Sequence, residues 1–371
     1  MARRYDSRQQ TTSSFPERIS VSLGSETSRE HRERPMADLN FSQVEAALIE
    51  ANVTVMRGMR DSLLQLGLQK VHPCPTVDAF AELLGDQTPD LVVVDIDHPD
   101  IDSFKLIRWL RNDPDFPNPF ICIIATTWQP TEALLQRVNN SGADALLVKP
   151  ASARQLMDRV LALVDGRKKF IVTADYTGPD RRRQLRDSVH MPSLEPPTSL
   201  RLKATGSWDR GGASLVAKGV AWIDEQKAIR DAFHISFLVA YAEPGLATEP
   251  PDRLALDHVA RIPPVVDDLL RRVAKRGLDS RFESACKAIL ETVERIGSNT
   301  EFPSAINDLV QLRTLGLGLI RALQPSRSAD VVMKEVSGAA AAYRKRLEQL
   351  WAAKAAQGPG AGAAGAESST S

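Results

Sequence analysis

The sequence predicts a doubly wound α/β domain built on five parallel strands, followed by an all-helical region. Between residues 40 and 166, short apolar runs alternate five times with segments of helical spacing. Strands covered on both faces read as such near-continuous runs. Three of the runs deliver a charged residue at or just past their C-terminal end: Glu50 after 44–49, Asp95 closing 90–95, and Lys149 after 145–148. From about residue 213 to 352 the pattern is helical throughout. In an open parallel sheet the carboxyl edge is where ligands bind, because helix N-termini point at it. Two acids and a lysine gathered there suit phosphoryl or metal chemistry.

The elements follow in order. Residues 44–49 form the first strand, and 54–66 carry Val55, Met56, Met59, Leu63 and Leu66 at helical spacing. A short strand contains Val71, and a helix over 77–84 is expected to end at Gly85. The third strand is 91–95, and its helix, 104–111, stops near Pro114. Strand four spans 120–126, with a helix over 132–139 ended near Gly142; strand five is 145–148, with a helix over 153–164. Residues 167–210 change character, with Gly178-Pro179-Asp180-Arg181-Arg182-Arg183 and then Pro192, Pro196 and Pro197, and read as a linker whose apolar start, Phe170-Ile171-Val172, docks on the sheet domain. Five amphipathic helices over 211–355 make a bundle, broken once at Pro263-Pro264 and open to extension by pairing with a second copy as a homodimer. The polar N-terminal 1–38 and the Gly/Ala/Ser-rich 356–371 read as disordered tails.

Composition narrows the class. The 371 residues carry 47 basic and 47 acidic side chains, so no global field favours nucleic acid or a membrane surface. Arg181, Arg182, Arg183 and Arg186 form a local basic knot without aromatic interleaving, which reads as docking against acidic residues of the same protein. Cys74, Cys122 and Cys286 are widely spaced and odd in number, which gives no disulfide framework. Cys122, in a strand pattern, and Cys286, on a helical apolar stripe, read as small core residues in a reducing compartment. No apolar run approaches membrane-spanning length, and the cytoplasm is the expected location.

Taken together, four spaced features resemble the receiver domain of two-component response regulators, over about residues 42–165. Ile49-Glu50-Ala51-Asn52 stands where that family has an acidic pair. Asp95-Ile96-Asp97-His98-Pro99-Asp100-Ile101-Asp102 is similar to the phosphoacceptor loop. Ile123-Ile124-Ala125-Thr126-Thr127 resembles the end of strand four, and Gly142-Ala143-Asp144-Ala145-Leu146-Leu147-Val148-Lys149-Pro150 resembles the strand-five signature. The resemblance implies a flavodoxin-like (βα)5 fold and a magnesium site, with Asp95 as phosphoacceptor and metal ligand. It further implies Glu50 and the Asp97 backbone carbonyl as the other ligands, Thr127 as the hydroxyl donor (Thr126 is one register away), and Lys149 as the cation before a cis-proline. The implied partner is a sensor histidine kinase or a histidine phosphotransfer protein. Such residue types suit the chemistry, since a carboxylate attacking an anionic phosphorus needs its oxygens positioned and neutralised.

Departures from the pattern bear on strength. Ala51 replaces the acid that touches the metal directly in the family. Trp128 stands where the family keeps a small residue that admits phosphodonors and water. Leu146 replaces the aromatic that couples phosphorylation to the face of helix four, strand five and helix five. These changes imply a weakened metal site, slow turnover or none.

His98 reads as a loop side chain, because no second His or Cys has ligand spacing. His258, followed by Val259-Ala260-Arg261, departs from the phosphotransfer pattern and reads as an ordinary helix residue. No separate catalytic motif follows residue 170. The expectation is an atypical response regulator, not otherwise an enzyme, whose bundle reads that face and binds an unknown protein but neither DNA nor membrane. The alternative is a degenerate, unphosphorylated receiver serving as an interaction scaffold. An enzymatic bundle, such as a phosphatase acting on a partner, has no acid/amide pair to support it.

Overall fold

Five parallel strands, β1 (Glu45–Ile49), β2 (Lys70–Cys74), β3 (Leu91–Asp95), β4 (Cys122–Thr127) and β5 (Ala145–Val148), pair in the order β2-β1-β3-β4-β5. They alternate with α1 (Val53–Gln65), α2 (Val77–Asp86), α3 (Ser103–Asn112), α4 (Glu132–Ser141) and α5 (Ala153–Asp165). The computed structural model describes residues 39–173, 176–182, 192–275, 277, 280–298 and 302–356. The tail expected at 1–38, all but the first residue of that expected at 356–371, and Arg183 and Arg186 lie outside the described residues.

Sequence signals explain these helices. Side chains of Asn52, Thr76, Asp102 and Thr131 accept first-turn N–H groups, and Ser152 with Gln155 forms a reciprocal cap. Helix α4 ends on Gly142, whose φ of 99° needs a residue without Cβ, and a Cβ there would also press on Arg111. Helix α2 continues through Gly85, the expected stop, to Asp86 and ends where Gln87 turns extended. Ala46, Leu48, Leu91, Val93, Cys122 and Ile124 pack with α1 and α5. The alternate set Ala47, Ile49, Val92, Val94 and Ile123 is equally buried, hence the unbroken apolar runs.

Residues 167–210 hold more structure than a free linker. Strands β6 (Phe170–Val172), β7 (Thr177–Pro179) and β8 (Ser193–Leu194) make an antiparallel sheet in the order β7-β6-β8, followed by α6 (Ser199–Ala204). Arg181 donates to the Ala143 and Asp144 carbonyl oxygens, so this part of the basic knot docks on backbone rather than on the expected acidic side chains. Arg182 pairs locally with Asp180 at 2.6 Å. Beneath them Asp144 bridges Arg111 at 2.8 Å and Arg167 at 2.7 Å, and all three side chains are buried. Arg111 also donates to the carbonyls of Gly142, Pro119 and Ile121, and Arg167 to that of Phe120. Three segments distant in sequence are thereby fastened around one carboxylate.

The remainder is helical, with six helices among the described residues rather than five: α7 (Gly212–Leu246), α8 (Arg253–Val259), α9 (Ile262–Ala274), α10 (Ser280–Ser298), α11 (Phe302–Leu323) and α12 (Ala329–Ala356). Pro263 and Pro264 sit in the first turn of α9, where a missing N–H leaves no bond unmade, so the break falls before them. Helix α7 runs through the centre, burying Ala228, Ala232, Ile235, Val239 and Ala242 in the bundle core. Its N-terminal half leans on the sheet domain, where Ile223 joins Phe120, Phe170 and Val172. Gly219 lies so near the Phe120 ring that no Cβ would fit. A second joint is ionic. Arg272 of α9 holds Asp224 at 2.9 Å and Asp268 at 2.8 Å and donates to the Asn112 carbonyl at the end of α3; Lys275 reaches the Pro114 carbonyl. Burial and the nearby Asp268 carboxylate push the Asp231 carboxyl well above the ordinary carboxylate range.

These bonds join the bundle to the α3 end and to the start of β4, rather than to the α4–β5–α5 face expected to signal to it. Among the described residues, no helix is long and apolar enough to cross a membrane.

Candidate functional site

Strand register brings the charged residues to one edge. Asp95 lies opposite Thr126 across β3 and β4, and Thr127 lies opposite Val148 across β4 and β5. Glu50 directly follows β1, and Lys149 directly follows β5. Because β2 and β3 pair on opposite sides of β1, the chain reverses its winding direction between β1 and β3, and a crevice opens at their carboxyl ends.

Within it the Lys149 ammonium lies 2.8 Å from Asp95 Oδ1 and 3.0 Å from Glu50 Oε2. All three side chains are buried, the lysine 1% exposed. Two carboxylates share one cation, so the cluster keeps a net negative charge. Glu50 Oε1 accepts the Asn52 N–H at 2.9 Å, which ties the acid to the start of α1. Asp95 Oδ1 also accepts the Asp97 N–H at 3.0 Å. The Lys149-Pro150 peptide bond is cis.

Asp97 holds a position that the sequence does not disclose. Its carboxylate accepts the Thr127 hydroxyl at 2.8 Å and the Trp128 N–H at 2.8 Å. Thr127 therefore faces the cleft, while the Thr126 hydroxyl lies 3.5 Å from the Val94 carbonyl. The Trp128 ring is 46% exposed and spreads over the Lys149 ammonium, 5.0 Å from its centre. Ser103 also escaped the sequence reading: its hydroxyl donates to the Asp95 carbonyl at 2.5 Å, and only its place in the first turn of α3 hinted at a role.

Four of the named residues, Glu50, Asp95, Thr127 and Lys149, thus share one cleft with Asp97. His98 is buried and anchors the loop: Nδ1 accepts the Asp100 N–H at 3.2 Å, so Nε2 carries the proton donated to the Pro75 carbonyl at 3.1 Å. His258 packs against Tyr241 in the bundle. The three cysteines are free and buried; burial raises the Cys74 thiol to about 11 and those of Cys122 and Cys286 to about 12, as inert core thiols behave.

Among the described residues no group of three or more His, Cys, Asp or Glu side chains forms a metal cage. The cleft offers the Glu50 and Asp95 carboxylates, with the Asp97 N–H bonded to Asp95. That sparse set of hard oxygens with excess negative charge fits magnesium, which keeps several waters and takes few protein ligands.

Residues 46–161 match the family model described as the response regulator receiver domain. The polar-differentiation response regulator DivK of Brucella ovis is 24% identical over 114 residues, covering 30% of this chain and 89% of that protein. The signal receiver domain of a signal transduction histidine kinase from Syntrophus aciditrophicus is 26% identical, covering 32% of this chain and 89% of that one, with a TM-score of 0.30. The chemotaxis response regulator CheY4 of Vibrio cholerae is 17% identical, covering 32% and 98%, also at 0.30.

Proposed function

We propose that the response regulator receiver domain at residues 46–161 accepts a phosphoryl group on Asp95 and signals through the helical region. The observation that carries the reading is Lys149 bridging Asp95 and Glu50 in a buried cleft at the winding reversal. With Oδ1 held by Lys149 and the Asp97 N–H, Oδ2 is the oxygen that attacks phosphorus. A P–O bond forms and the P–N bond to a donor imidazole breaks, with the imidazole leaving on the kinase or phosphotransfer partner. Lys149 stays with the acyl phosphate and offsets its charge. Thr127 exchanges its bond to Asp97 for one to a phosphoryl oxygen, which frees the Asp97 loop. Magnesium, when held by Glu50, Asp95 and the Asp97 carbonyl, supplies neutralisation of phosphoryl oxygens. The loop change then reaches α3 through the Ser103 bond to the Asp95 carbonyl, and the bundle through Arg272 and Lys275.

A second reading, a scaffold that is never phosphorylated, is favoured by Asp97 engaging Thr127 and by Ala51 supplying no ligand. Beryllofluoride with magnesium separates the two. Phosphoacceptor activity is expected to change Trp128 fluorescence in the parent and not in Asp95→Asn. No response at millimolar metal and donor supports the scaffold. Ala51→Asp adds an acid at the end of β1 and is expected to tighten magnesium binding about tenfold. Unchanged affinity in a calorimetric titration would place the metal away from β1.

A further inference from the structure

A pocket of about 210 Å³ lies in the bundle between α7, α11 and α12, remote from the chemistry of Asp95. Leu317, Met333 and Val336 supply apolar walls, and Ser236, Arg313 and Arg344 supply polar ones. Its polarity starts with Pro244. A proline inside a helix has no N–H, so the carbonyl four residues earlier loses its usual partner. That carbonyl belongs to Ala240, and Arg344 of α12 donates to it at 2.7 Å. The bond pins the guanidinium beside the pocket, with the Tyr241 ring centre 5.7 Å away.

Two donors there have no acceptor among the described residues. The Arg344 Nε and the Ser236 hydroxyl are both buried and unpartnered, and Ser236 is 5% exposed. Such groups are costly to bury unless an acceptor arrives. At the rim Arg313 is half exposed, 3.7 Å from Glu243 and 3.0 Å from the weakly accepting Met333 sulfur. Two guanidiniums against one carboxylate leave the pocket positive, so the missing acceptor is an anion. A cavity of about 150 Å³ holds a benzene ring. This one therefore has room for a ring and a carboxylate.

We propose that the pocket binds a small monocarboxylate with a compact apolar body, of benzoate size. The carboxylate accepts from Arg344 Nε and Ser236 Oγ, and the body lies against Leu317, Met333 and Val336. Bound there, it links three helices of the bundle.

Calorimetric titration of the full chain with benzoate, benzamide and inorganic phosphate tests the assignment. Benzoate is expected to bind one to one with a dissociation constant of about 1 mM or tighter. Benzamide lacks the charge and phosphate the apolar body, so both are expected to bind at least about tenfold more weakly. Ser236→Ala, which deletes one oxygen and leaves α7 a good helix former, should weaken benzoate about tenfold. Val336→Trp, which fills the cavity, should abolish binding. No heat with benzoate at about 20 mM overturns the proposal, since that is far above the expected constant. So does benzamide or phosphate binding as tightly as benzoate, or benzoate affinity unchanged in a folded Ser236→Ala.

Discussion

Asp144→Asn is expected to lower the melting temperature of the chain by roughly 10 °C at pH 7. In the parent one carboxylate serves two guanidiniums, Arg111 and Arg167, whose side chains are 0% and 2% exposed. Asparagine keeps the shape and loses the charge, so two buried cations remain with only neutral partners, backbone carbonyls and the Thr198 hydroxyl. Breaking a buried pair from one side costs about 3–5 kcal/mol, because the remaining charge is uncompensated. Acid should erase the difference. Burial by itself would raise the Asp144 carboxyl, but the Arg167 and Arg111 guanidiniums outweigh it and hold the group below its ordinary value of 3.8. A carboxyl depressed in the folded state contributes stability that is present above its unfolded value and lost as pH falls through the folded one. The parent and variant melting curves should therefore stay apart at neutral pH and converge only well below pH 4. Calorimetric melts across that range check both statements. A fall of less than about 2 °C at pH 7 would mean that the cluster is not fastening the domain.

Lys149→Met is the second large effect. Its removal leaves Glu50 and Asp95, 4% and 6% exposed, facing one buried space without a counter-charge. A destabilisation of about 3 kcal/mol is expected in metal-free buffer. Millimolar magnesium should recover more stability in this variant than in the parent, because a dication would take the place left by the ammonium. The double variant Asp95→Asn/Lys149→Met should be more stable than Lys149→Met alone, since one of the two stranded charges is gone. Melting scans with and without magnesium decide it. Equal magnesium gains in parent and variant would argue that the ion binds elsewhere.

Much of this was legible in the chain, for identifiable reasons. Strands buried on both faces leave unbroken apolar runs, and Glu50, Asp95 and Lys149 each sit at the end of one, so fold and shared edge could be read together. Cap residues mark helix ends locally, Thr131 by its bond to the Leu134 N–H and Gly142 by its left-handed backbone. What escaped depends on contacts between distant residues. The apolar start 170–172 announces docking, and Phe170 and Val172 do pack on Phe120. Arg181, however, meets backbone carbonyls rather than acids and Asp144 meets Arg111 and Arg167, so nothing in 167–210 announces a three-stranded sheet. The Asp97 side chain was unreadable for a similar reason, since its partners, Thr127 and Trp128, lie 30 and 31 residues away. Gly85 failed as a stop signal because α2 was free to continue, and the turn came from Gln87.

Helix α7 is 35 residues long, with one end against Phe120 and Phe170 and the other under the Pro244 pocket. At about 1.5 Å per residue it is a rod of roughly 50 Å. Pivoting such a rod by about 2° sweeps its tip through nearly 2 Å. A displacement too small to see beside Phe120 would arrive at the opposite pole as a step of about half the width of a methyl group, and the molecule would need no other gearing.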